Sequence, residues 1–90
     1  MTDELHAVLL DAIRADPDDG ARWLDLASWL WVQGRDDEAI AVRVFWPTLR
    51  DNLAHVSLEA TLAGVARNAK RLGRFARETD RRENETPPPV

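Results

Sequence analysis

Two histidines, two serines and sixteen acids are the side chains with which this 90-residue chain could do acid–base, nucleophilic or metal chemistry. His6 and His55 each lack a second histidine four residues away, the spacing that puts two imidazoles on one helix face for zinc. Ser28 and Ser57 stand outside any Gly-x-Ser-x-Gly elbow. The four glycines are isolated, so no phosphate-cradling loop is present, and the absence of cysteine removes thiolate chemistry and disulfides. Asp16, Asp18 and Asp19 and the run Asp36-Asp37-Glu38 do not have the spacing of a calcium loop. They read as helix caps. No catalytic residue, metal site or cofactor is expected, and the chain is expected not to be an enzyme.

The elements around these residues are helical. Leu5, Val8, Leu9, Ala12 and Ile13 form one stripe of a first helix, which Thr2 or Asp3 can cap and Asp16-Pro17 ends. Asp18-Asp19-Gly20 caps a second helix with Trp23, Leu26, Ala27 and Leu30 on one face, widened by Leu24 and Trp31. Gly34 is its left-handed stop. Asp36-Asp37-Glu38 opens a third helix whose run Ala39–Trp46 is apolar nearly all round, with a strand as the competing reading and Pro47 as the expected break or kink. Leu49, Leu53 and Val56 suggest a further turn or two. Ser57 caps a last helix of some twenty residues. Its seam is Leu58, Leu62, Val65, Ala69, Leu72 and Ala76, flanked by Ala66 and Phe75. The expected organisation is one helical domain over residues 1–78 and a disordered tail over 79–90, in which Pro87-Pro88-Pro89 must be extended.

Charge divides the chain. The net charge is −4, yet Arg67, Lys70, Arg71, Arg74 and Arg77 share one side of the last helix, and no acid lies between residues 60 and 77. This basic face can be a solvated surface, can dock on the acidic first half in cis or across a dimer, or can bind an acidic ligand. Nucleic acid is disfavoured because the pI is near 5.0 and no aromatic platforms are interleaved with the bases. Arg43, among apolar neighbours, is expected to be buried against Asp25 or Asp51. Trp29 points about 160° from the centre of the second helix's apolar face, so it needs cover from the C-terminal helix or a dimer partner, or else serves as a free anchor for a partner. No apolar run exceeds four residues, as at 29–32, well short of the ~18 that suggest a membrane span. The acidic start is unlike a secretory leader. A bacterial cytoplasmic setting is expected, the preference for arginine over lysine hinting at a GC-rich genome.

Residues 12–39 resemble the tetratricopeptide repeat, a 34-residue helix-turn-helix unit. Trp23, Leu26, Ala27, Leu30, Gly34 and Ala39 fall at that pattern's spacing, and Ala12, Ile13 and Pro17 match the close of a preceding unit. Arg43, Trp46 and Asp51 depart from it, standing where the family has a bulky apolar residue, alanine and proline. Residues 9–19, continued by Leu26-Ala27-Ser28-Trp29-Leu30 and Gly34, are also similar to a short repeat-companion domain of planctomycetes and similar bacteria, which has no established activity. Both resemblances imply helical hairpins and neither supplies a catalytic residue. In tetratricopeptide domains ligands commonly lie against the first helix of each hairpin, which implies Leu24, Ser28, Trp31 and Val32 as groove-facing residues here. Cover by the C-terminal helix is the alternative for these four. The expectation is therefore an all-α bundle with one such hairpin and a long C-terminal helix. Its expected role is a protein-interaction or assembly module that could work as a homodimer, with a regulatory nucleic-acid binder using the basic helix as the rival.

Overall fold

Sequence signals for starting and stopping helices account for most of the architecture. In a computed structural model, which describes the backbone of residues 2–84 and the side chains of residues 4–82, these signals delimit five helices and no strand among the described residues. They are α1 (Thr2–Ala15), α2 (Gly20–Val32), α3 (Asp36–Asn52), α4 (Leu58–Arg67) and α5 (Ala69–Asn84). The chain is a small all-α bundle. The Asp19 side chain accepts a hydrogen bond from the Ala21 N–H at the start of α2. At its end Gly34 takes φ 78°, the Gly34 N–H donates to the Trp31 carbonyl and the Arg35 N–H to the Leu30 carbonyl. That pair of bonds is the Schellman closure, whose left-handed position favours glycine because it has no Cβ. Ser57 Oγ accepts from the Ala60 N–H and caps α4. The capping expected of Thr2 or Asp3 lies outside the described side chains.

Two boundaries differ from those expected. Pro47 does not end the third helix, which runs on to Asn52. The ring removes one hydrogen bond, to the carbonyl of Arg43, and that residue is exposed, so water can take the bond. Core contacts of Val42, Trp46 and Leu49 on the inner side hold the helix through it. The expected single long helix after Ser57 is instead divided at Asn68, whose φ and ψ of −109° and 21° leave the helical region. Its Nδ2 donates to the Gly64 carbonyl at 2.9 Å, a local side-chain bond of the kind that competes with helix continuation. The seam residues still face inward on both pieces: Leu58, Val65 and Ala76 are buried. α5 then continues through Thr79, where the tail was expected to begin, as far as Asn84. Residues 85–90 lie outside those described.

Packing follows from small residues and one anchored indole. Trp23 is fully buried, and its Nε1 donates to the Pro17 carbonyl at 2.8 Å. Ile13, Leu26 and Val42 surround the centre, with Leu10, Ala27, Leu30, Ala39, Ala41, Leu58 and Val65 completing one core. The contact of His6 with Trp29 at one end, and of the Arg22 guanidinium with the Ala12 carbonyl at the other, makes α1 and α2 antiparallel. Asn52 Nδ2 meets Thr61 Oγ1 while Arg35 and Glu38 lie beside Leu62 and Ala66, so α4 runs antiparallel to α3. The pairs Asp37–Arg77 and Arg43–Asp80 advance together along α3 and α5, which are therefore parallel. Gly73 is what lets these two approach: a Cβ there would lie 2.6 Å from Asp37 Oδ1. Among the described residues no helix is long and apolar enough to cross a membrane.

Candidate functional site

The four residues implied by the repeat resemblance come together. Leu24, Ser28, Trp31 and Val32 form one wall of a groove of about 630 Å³. Their helical spacing explains the alignment, since positions separated by three or four residues stack on one face. Ala27 and Ala39 form the floor where α2 meets α3, Ile40 and Arg43 come from α3, and Arg77 reaches in from α5. The wall is open to water: Leu24 is 41%, Trp31 59% and Val32 79% exposed. The C-terminal helices do not cover it. α4 packs on the opposite side, beside Leu10, Leu26, Leu30 and Val42, and α5 lies against α3. Trp31 thus sits at the exposed margin of α2, apart from the buried Trp23.

Trp29 is not part of this groove. Its ring stacks on His6, with centroids 4.7 Å apart and planes within 10°. Part of the cover it requires therefore comes from His6 of α1. Its Nε1 is buried and has no hydrogen-bond partner among the described residues. His6 gains a packing role by the same contact, and His55 is exposed in the α3–α4 connection.

The basic face lies across from the acidic first turn of α3. Arg67, Lys70, Arg71, Arg74 and Arg77 are all exposed. Arg77 Nη1 pairs with Asp37 Oδ1 at 2.6 Å, while no ion pair holds Arg67, Lys70, Arg71 or Arg74 among the described residues. Asp36, Asp37 and Glu38 line a cleft of about 520 Å³ together with Arg67, Lys70 and Arg71. The surface is therefore mixed in sign. Arg43 departs from expectation: it is exposed and pairs with Asp80 Oδ2 at 3.0 Å, not with Asp25 or Asp51. Placed on the outer flank of α3, it keeps its charge in water and finds its carboxylate on the parallel α5.

Of the nine residues that line the groove, sequence reasoning placed four there; Ala27 and Ala39 were read as close-packing residues of the hairpin, Arg77 as part of the basic face, and Ile40 and Arg43 were not assigned to it. A signal for Ile40 existed, because a helix apolar all round must present one apolar face to something other than its hairpin partner. Arg77 could not be placed without knowing that α5 folds back beside α3. Chemically the groove offers apolar contact, one hydroxyl and two guanidinium donors, and its lining holds no carboxylate or imidazole. No group of three potential metal ligands gathers among the described residues. Comparison with models of known families, with curated proteins and with solved structures finds no match to this chain.

Proposed function

We propose that this chain is a non-enzymatic protein-interaction or assembly module, built on a tetratricopeptide-like hairpin, that receives a segment of a partner protein in the groove between α2 and α3. The observation that carries this is the gathering of Leu24, Trp31 and Val32 on one groove wall. The other large apolar side chains exposed among the described residues, Leu5, Val8, Val56 and Phe75, lie outside it, Leu5 and Val8 being exposed although their helical stripe was expected to be buried. Leaving an indole and two aliphatic side chains in water forfeits a few kcal/mol of burial, at roughly 1.5–3 kcal/mol per fully buried side chain. Apolar clusters of this kind mark partner contacts, and tryptophan and arginine are the residues most enriched among those that dominate binding. The proposed setting is the bacterial cytoplasm, with a homodimer as one form the assembly can take. The groove chemistry supports binding over catalysis, since it holds no general base or nucleophile beyond the hydroxyl of Ser28.

The test is affinity capture with the full chain beside Trp31→Ser and Val32→Ser variants, all shown by circular dichroism to keep the same helix content. Proteins retained by the parent and released by both variants are the expected result; identical recovery by all three would refute the groove as the contact. The rival is nucleic-acid binding by Arg67, Lys70, Arg71 and Arg74, favoured by their lack of ion pairs. Three carboxylates of α3 on the same surface oppose it. A mobility shift that weakens steeply with salt is its signature.

A further inference from the structure

We propose that the groove between α2 and α3 recognises an extended proline-rich segment, and that its resident occupant is residues 85–90 of this same chain, Glu-Thr-Pro-Pro-Pro-Val. The inference rests on the groove being a binding surface and goes further, naming the class of ligand and a self-occupied state. Three observations carry it.

The first is hydrogen-bond polarity. A proline run presents carbonyl acceptors and no N–H donors, and in its left-handed extended form none of those carbonyls is bonded within the segment. The groove is the reverse. Arg43 and Arg77 donate only, Ser28 can donate, and no carboxylate lines it. Each arginine already gives one N–H to a carboxylate beyond the lining, Arg43 to Asp80 and Arg77 to Asp37, and keeps further donors. An amphipathic helix, its backbone already satisfied, would bring no main-chain acceptors to them.

The second is the aromatic wall. Proline rings dock on exposed aromatic faces, and the extended helix loses little entropy on binding because it is already ordered. Trp31 supplies an indole 59% exposed, with Leu24 and Val32 on the same wall. No other tryptophan among the described residues is classed as exposed.

The third is reach. Arg77 on the groove wall and Asn84 at the end of α5 belong to one helix, so at 1.5 Å per residue they are about 10 Å apart along its axis. Six residues at 3.1 Å each span about 19 Å when extended. The groove wall from Leu24 to Val32 is about 12 Å long by the same helical rise. The segment is long enough to turn back from Asn84 and lie along the wall. Tethering of this kind supplies an effective concentration on the order of millimolar, so even a weak contact is populated.

The experiment compares the full chain with a chain ending at Asn84 and with a full-length Pro87→Ser, Pro88→Ser, Pro89→Ser variant, by ¹H–¹⁵N spectra of the tryptophan indoles. The Trp31 signal is assigned from Trp31→Phe. The expected result is the same displacement of the Trp31 resonance in the truncated and the serine-substituted chains, with Trp23 unmoved. A synthetic peptide of residues 84–90 added to the truncated chain should move Trp31 back, and should bind the full chain several-fold more weakly. An unchanged Trp31 signal in both altered chains overturns the proposal. So does a displacement that depends on protein concentration, which would put a second copy's tail in the groove. Loss of partner capture by Trp31→Ser without any response to truncation would sink the tail as occupant and leave the groove standing. Loss of neither would remove both.

Discussion

Gly64→Ala and Gly73→Ala are the same chemical change in the interiors of two helices, and the structure gives them opposite signs. Replacing a helical glycine by alanine stabilises by about 0.8–1 kcal/mol where nothing opposes it. At Gly64 nothing lies within 4 Å of the added Cβ, so the full gain is expected. At Gly73 the Cβ would sit 2.6 Å from Asp37 Oδ1, 2.9 Å from its Cβ and 3.0 Å from its Cγ. The oxygen can swing away, but the Asp37 Cβ is fixed to the backbone of α3, so the two helices must part. Overpacking of this kind costs about 1–3 kcal/mol. The displaced pair with Arg77 is half-exposed, so its loss adds only about 0–1 kcal/mol after solvent screening. Set against the propensity gain, Gly73→Ala loses about 1–2 kcal/mol near the middle of that range. The two variants therefore differ by about 2–3 kcal/mol, or roughly 10 °C or more in Tm at 4–8 °C per kcal/mol for a domain of this size. Thermal and urea melts followed by circular dichroism at 222 nm measure this directly. If Gly73→Ala melts as high as Gly64→Ala, α3 and α5 do not approach as described, and Arg77 loses its place on the groove wall.

Gly20→Ala should also destabilise, by about 1–3 kcal/mol, because its Cβ would fall 2.7 Å from Cζ2 of Trp46; a urea midpoint equal to the parent's would contradict that contact. Trp23→Phe removes the donor to the Pro17 carbonyl and should cost about 1–3 kcal/mol. Trp29→Phe, which removes an indole N–H without a partner, should cost distinctly less in the same melts; the reverse order would argue against the assigned partners. Arg43→Leu should change stability by less than about 1 kcal/mol, as expected for an exposed pair with Asp80. A large loss in its urea midpoint would mean that Arg43 holds α5 in place.

Local rules carried the reading as far as neighbours in sequence decide the outcome. Asp19, Gly34 and Ser57 mark helix ends by bonds that close within four or five residues, and each takes the role its type implies. The buried face of α2 (Trp23, Leu26, Ala27 and Leu30) follows from periodicity alone. Pro47 shows where locality fails: its ring argues for a break, and side chains packed into the core on either side of it override that preference. Asn68 fails in the other direction. The apolar spacing of the seam passes through it without interruption, so nothing in the pattern reveals the bend. Arg43 finds its carboxylate 37 residues away, and Trp29 part of its cover 23 residues back in α1. Such pairings depend on how helices fold back, which periodicity does not contain. Four groove residues were legible because they occupy one helix; Arg77 was not, because it arrives from another.

The division at Asn68 is what leaves the groove open. A straight helix over residues 58–84 would be about 40 Å long, and such a rod can follow only one crease of the bundle. Split in two, its first half covers Leu26, Leu30 and Val42 beside α1, and its second half turns back along α3, held close by Gly73. Neither half reaches the wall of Leu24, Trp31 and Val32. Asn68 and Gly73 therefore act on the groove from two points. Asn68→Ala removes the side-chain bond to the Gly64 carbonyl that accompanies the bend, and Gly73→Ala adds a Cβ against Asp37; both are expected to displace α5 relative to α3. Either change is expected to shift Arg77 on the groove wall, so the Trp31 indole resonance should move more than that of Trp23 in ¹H–¹⁵N spectra; equal shifts at both would refute this.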